Sequence, residues 1–201
     1  MDDGFQNPSL VKDVAVLVVD ARRGVGNARV LPAGPLRAAL APQLARAHAL
    51  VIVGDGDGAR DVEAAARLHK LAVFRARLTP DPQAVAALRG RALAFAGIGD
   101  PGKFFATLVE AGVTLAATRA FADHHRYTAS EASALCEAAH HADATLVTTE
   151  KDFVRLRGDF EMAELLSRAR ALPVTLEFAD EAAFRAFLLE RLAAAKKISA
   201  A

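Results

Sequence analysis

The 201 residues carry 25 basic and 24 acidic side chains, a formal net charge of +1, which excludes both the basic excess of a nucleic-acid binder and the acidic bias of a disordered tail. The single cysteine, Cys136, excludes an intramolecular disulfide and a cysteine-rich metal site and fits a reducing compartment. A hydrophobic fraction of 53% can fill a sizeable core in one ordinary domain or two small ones; with no signal peptide and no apolar run near the roughly 18 residues of a membrane span, the reading is a soluble or peripheral protein.

The chain opens MDDGFQNPSL, with the acidic pair Asp2 and Asp3 directly after Met1 and a glycine behind them. In phosphate-transferring α/β proteins, carboxylates at the end of a buried strand hold Mg²⁺, because that ion takes hard oxygen ligands and keeps several waters. Here no element precedes the pair, and by itself the stretch reads as a frayed acidic terminus.

Seven short apolar runs follow: Val14–Ala21, Ala49–Asp55, Leu71–Leu78, Ala92–Gly99, Val113–Phe121, Ala144–Asp152 and Leu172–Phe178. Several are continuously apolar, the pattern of strands buried on both faces of a parallel sheet. Between them lie helix signals. Pro101 opens a helix that Gly112 closes, and Thr128 with Glu131 makes a capping box ahead of a helix to about Ala142. Asp180 caps a last helix near 181–195. Strand and helix in alternation predict an α/β fold with a mostly parallel sheet and helices on both faces. The best candidate boundary is the turn at Arg89–Arg91, giving domains 1–91 and 92–201. The last helix gathers Phe184, Phe187, Leu188 and Leu192 on one face, which packing on the sheet explains better than a membrane surface.

Four stretches could carry chemistry. Gly97–Lys103 fits G-x-x-x-x-G-K between a strand and a helix, but Phe104 stands where a hydroxyl should meet Mg²⁺, and Pro101 removes a backbone donor. A tight strand-to-helix turn explains it better than a phosphate loop; the competing reading is an unrelated nucleotide enzyme built on this loop. The stretch FADHHRYT (Phe121–Thr128) lies past a predicted strand, where α/β sheets place their sites. Its Asp123, His124 and Arg126 could provide an orienting carboxylate, a general base and a phosphate clamp. His140 and His141 sit near a helix end, where a structural role is the plainer one. Thr148–Asp152 either binds an anion or caps the next helix.

Taken in order, DDGFQN, KDVAVLVVDA, GVGN, LPAGPLR, AFAGIGDPGKFFATL, FADHHRYT, TEKDFVRL and LPV closely resemble the lipid A 4′-kinases, also called tetraacyldisaccharide 4′-kinases, from Asp2 to about Phe178. The resemblance implies a fold like that of the P-loop nucleotide hydrolases, with a smaller C-terminal α/β domain. It implies transfer of the ATP γ-phosphate, with Mg²⁺, to the 4′-hydroxyl of a lipid A disaccharide precursor, at the cytoplasmic face of the Gram-negative inner membrane. By the same resemblance Asp2 and Asp3 lie near the metal. His124 matches a histidine that pairs with an upstream aspartate base, and Asp123 stands beside it. The family's phosphate loop and base lie upstream of DDGFQ, so the expectation is a C-terminal portion with no cofactor-binding loop of its own and little activity alone. Asn7 stands where the family usually has His, and Ala38 where it has Glu. Those departures favour an alternative, a non-catalytic protein that binds the lipid disaccharide or complements a separate N-terminal fragment.

Overall fold

The computed structural model describes residues 4–7, 9, 11–88 and 90–199, without the side chains of 196–199. In chain order the first elements are β1 (Val16–Asp20), α1 (Leu40–Arg46), β2 (Ala49–Val53), α2 (Arg60–Leu68), β3 (Ala72–Pro80) and α3 (Pro82–Ala87). Next come β4 (Arg91–Ala96), α4 (Pro101–Glu110), β5 (Thr114–Ala120), α5 (Ala129–His141), β6 (Ala144–Thr149) and α6 (Glu150–Leu156). A 3-10 turn at Phe160–Met162 leads into α7 (Ala163–Arg168), β7 (Ala169–Leu172), β8 (Val174–Phe178) and α8 (Glu181–Ser199). The α/β class is as expected.

These elements make two compact units, one from Met1–Leu78 and Leu176–Ala201, the other from Thr79–Thr175. The first holds a sheet in the order β1-β2-β3-β8. β1, β2 and β3 run parallel. β2, the run ALVIV, is buried at every residue, which is why it reads as continuously apolar. Leu44, Leu50, Ile52 and Val62 form the core on one side of this sheet. On the other, Phe184 of α8 stacks on Phe178 at 3.9 Å between ring centroids and meets Phe74 edge-on at 5.0 Å. The last helix thus packs on its sheet, as its apolar face predicts, although Leu192 at 44% exposure lies outside that contact.

The second unit holds a sheet in the order β5-β4-β6-β7, all parallel. Phe95, Leu93, Leu146, Leu156 and Leu165 fill the core under α5, α6 and α7. Each such side chain is worth about 1.5–3 kcal/mol of burial. Ala94, Phe104, Leu108 and Val147 fill the other face.

Four expectations are corrected. The boundary does not fall at 91/92. Asp81 donates its N–H to Pro173 O, and Ala84, Val85 and Leu88 pack into the core of the β4 sheet, so the chain from Thr79 belongs to the second unit. Nor does 92–201 form one domain, because β8 and α8 complete the first sheet. Finally, Leu172–Phe178 is two strands parted at Pro173, and Ala144–Asp152 stays extended only to Thr149, after which its polar end opens α6.

Candidate functional site

In the second sheet the chain goes from β4 to a neighbour on one side, β5, and then crosses to the other, β6. Loops at such a switch of direction open a crevice beyond the strand C-termini, the usual place for a ligand in an open parallel sheet. Three loops meet there: Gly97–Asp100 after β4, Phe121–Thr128 after β5, and the start of α6 after β6.

Asp152 ties them together. Its side chain is fully buried, at 0% exposure. Oδ2 accepts the N–H of Gly97 at 3.1 Å and the Thr149 hydroxyl at 2.7 Å, while Thr149 Oγ1 accepts the Asp152 N–H at 3.1 Å and so caps α6. Oδ1 accepts from Arg155 Nη1 at 3.0 Å, and the same nitrogen donates to Gly97 O at 2.8 Å. A buried carboxylate persists only when paired and hydrogen-bonded, and each of these contacts meets that demand. Gly97 is fixed by the same crowding. A Cβ there would lie 3.0 Å from His125 Cβ and 3.2 Å from Asp152 Oδ1.

The two histidines of FADHHRYT have different surroundings. His125 stacks on Phe121 at 4.8 Å, and its Nε2 lies 3.0 and 3.1 Å from the two oxygens of Glu131. Glu131 also accepts the Thr128 N–H and completes the capping box of α5. The hydrogen bond from His125, then that from Thr128, hold the Glu131 carboxyl below its ordinary range. His124 turns the other way, its side chain 82% exposed. It adopts φ +59°, which is uncommon for a residue with a Cβ. That conformation is secured by its N–H, which donates to Gly97 O at 3.1 Å and to Asp123 Oδ1 at 2.9 Å. On the ring, Nδ1 lies 3.2 Å from Arg155 Nη2, while Nε2 is 3.9 Å from Asp123 Oδ2, beyond a hydrogen bond.

Beside this network lies a cleft of about 590 Å³ lined by His124, Arg126, Tyr127, Arg155, Arg157 and Asp159, among others. Burial first, and the Asp152 charge second, push the Tyr127 phenol far above its ordinary pKa. Its hydroxyl feels that carboxylate without forming a well-shaped hydrogen bond to any described residue. The phenol therefore stays neutral at working pH.

Of the predicted site residues, Asp123 and His124 lie together at the switch point, backed by Arg155. Asp2 and Asp3 lie outside the described residues. Among the described residues no group of three His, Cys, Asp or Glu side chains could hold a metal ion. The Gly97–Lys103 turn is occupied internally, since Asp152 takes the Gly97 N–H and Asp100 Oδ1 takes that of Lys103 as the cap of α4. From sequence alone Thr148–Asp152 reads as either an anion site or a cap, and neither Asp152 nor Arg155 stands out. The signal was the i, i+3 spacing of an acid and an arginine at the start of a helix that follows a buried strand.

The family model described as tetraacyldisaccharide-1-P 4′-kinase matches residues 1–193. The curated tetraacyldisaccharide 4′-kinase of Bradyrhizobium sp. (strain BTAi1) is 53% identical over 98% of this chain and 57% of its own length. That of Nitrobacter winogradskyi is 52% identical over 98% of this chain and 59% of its own. The solved structure of LpxK from Aquifex aeolicus in complex with ATP shares the fold at a TM-score of 0.61 and 24% identity, covering 94% of this chain and 56% of that one. This chain therefore spans somewhat over half the length of the relatives it matches. No helix among its described residues is long and apolar enough to cross a membrane.

Proposed function

Because the chain belongs to the tetraacyldisaccharide-1-P 4′-kinase family, we propose that it forms the part of a lipid kinase that completes the site for ATP-dependent phosphorylation of the 4′-hydroxyl of a lipid A disaccharide precursor. The observation that carries this reading is His124: an exposed imidazole in a strained backbone conformation, anchored at a strand-end crevice by Gly97, Asp123 and Arg155. Strain of roughly 1–3 kcal/mol persists where the surroundings over-determine it, and such positions cluster at functional sites.

In this reading His124 does not take the substrate proton itself. It holds a carboxylate base contributed by the part of the family protein that this chain does not span. That base accepts the proton as the sugar oxygen attacks the γ-phosphate. Asp123 fixes the backbone of His124. Asp2 and Asp3 are the carboxylates that would meet Mg²⁺, which neutralises phosphate charge when bound. The protein works as a peripheral enzyme at the cytoplasmic face of the inner membrane.

The test is transfer of labelled γ-phosphate from Mg-ATP to the lipid acceptor. The expected result is negligible turnover by this chain alone, and turnover once an N-terminal segment of a relative is co-expressed with it. Turnover at ordinary kinase rates by the chain alone would refute the division of labour. A second reading, a non-catalytic binder of the lipid disaccharide, is favoured by Asn7 and Ala38, whose side chains depart from the family pattern. Asn7 accepts hydrogen bonds from Ser9, and Ala38 offers only its carbonyl, to Gln43. Acceptor binding with no turnover in the co-expressed pair would favour that reading.

A further inference from the structure

Arg155 touches His124 on one nitrogen only, and that contact sets where the ring keeps its proton. A guanidinium has donors and no acceptor, and it stays charged at any working pH. Nδ1 of His124, 3.2 Å from Arg155 Nη2, is therefore the acceptor of that pair. A neutral imidazole carries one proton, so it resides on Nε2. Nε2 has no hydrogen bond to any described residue, the nearest carboxylate oxygen being Asp123 Oδ2 at 3.9 Å.

We infer that Arg155, held by the buried Asp152, is a positioning residue that locks His124 in the Nε2–H form and aims that N–H outward as a donor for an acceptor group such as a carboxylate. The functional meaning rests on the kinase reading above; the placement of the proton does not. Arg155 can do this because it is itself immobilised. Its Nη1 bridges Asp152 Oδ1 and Gly97 O, and Gly97 O also receives the His124 N–H. Backbone and ring of His124 thus refer to one fixed oxygen. Asp152 is fixed in turn by Gly97 and Thr149. His125 cannot substitute, since its Nε2 is already taken by Glu131. A free neutral imidazole exchanges between both tautomers, so without Arg155 a donor is offered only part of the time, and in no fixed direction.

The experiment is long-range ¹H–¹⁵N NMR of the uniformly labelled chain, above the pH at which its histidines titrate. The expected His124 signals are those of an unprotonated Nδ1 and a protonated Nε2. In Arg155→Met both nitrogens should move toward averaged positions, and Arg155→Lys should restore part of the separation. If Arg155→Met does not fold, the wild-type shifts and the Lys variant decide. A protonated or averaged Nδ1 in the wild-type chain overturns the inference, as does a folded Arg155→Met variant with unchanged shifts. In the co-expressed pair, Arg155→Met should lower kcat by roughly 10- to 100-fold at unchanged KM, with partial rescue by Lys. Full turnover in Arg155→Met would overturn the positioning role. A locked tautomer with no turnover in the wild-type pair would instead count against the kinase reading alone.

Discussion

The two units secure their strand-end loops by different means. In the first, the loops after β1 and β2 interlock through close backbone approach, and Asp20 Oδ1 accepts the N–H groups of Arg22 and Arg23. A Cβ on Gly24 would lie 1.9 Å from Gly58 O, and one on Gly58 would lie 2.2 Å from Arg22 O. In the second, the loops after β4 and β5 and the start of α6 are held by one buried carboxylate and the arginine beside it. Backbone interlocking of this kind joins two loops without a buried ion pair between them. A buried ion pair makes a rigid edge that also aims a titratable ring. Both sheets have four strands; β1, β2 and β3 of the first and all four of the second run parallel.

The comparison is broken most forcefully at Asp152. Asp152→Ala strips Arg155, Thr149 and the Gly97 N–H of their shared acceptor at a fully buried point, and should cost about 3–5 kcal/mol. Hydrogen exchange should show lost protection in peptides from 79–175 while β2 keeps its own. Gly24→Ala should do the converse. Its φ of +59° alone implies roughly 1–3 kcal/mol of strain, and the overlap with Gly58 adds to it. Exchange should quicken around β1 and β2. Equal loosening of the second unit would end the distinction.

Thr128→Ala is milder, about 1 kcal/mol, because it removes one half of a capping box and leaves the His125–Glu131 contact. Urea midpoints should register it. The smallest effect concerns acid. His48 accepts the Ala15 N–H at Nδ1 and is held below its ordinary pKa, first by burial and then by the Arg191 charge. The unfolded chain takes up that proton more readily. The stabilisation is full above the ordinary imidazole value of about 6.5 and is lost as pH falls toward the lowered folded value. Glu131, its pKa also lowered, keeps its contribution until the pH drops through the carboxylate range. Mild acid should thus loosen the first unit before the second, and His48→Gln should flatten that response.

The strands were largely legible because burial on both faces writes itself as unbroken apolar runs, as in ALVIV and ALAFA. The capping box at Thr128 and the proline start of α4 were equally plain, since each is a local hydrogen-bond or backbone constraint. Strand β7 was not, because four residues, ARAL, carry too little pattern and merge with the run after Pro173. The unit boundary was hidden for a related reason. Whether α3 joins the sheet before or after it depends on contacts with β7, far along the chain, and no local composition marks them. At the site, DHH drew attention, but which histidine was committed elsewhere depended on Glu131 and Arg155. The i, i+3 pair Asp152 and Arg155 reads as an ordinary surface couple until folding buries its acid.

The return of β8 to the first sheet has a consequence for how the chain is born. Arg77 and Glu177 meet across 100 positions, so the sheet stays open at β3 until the segment around Glu177 has been made. The middle stretch, contiguous from Thr79 to Thr175, needs no such wait. If it condenses first, it shortens the effective loop that β8 must close and lowers the entropy lost in closing it. Until then β3 is an uncovered edge, the kind of strand that draws partners from other nascent chains. Ending translation before residue 176 should therefore yield a folded 79–175 unit beside a β3 edge that stays sticky and uncovered.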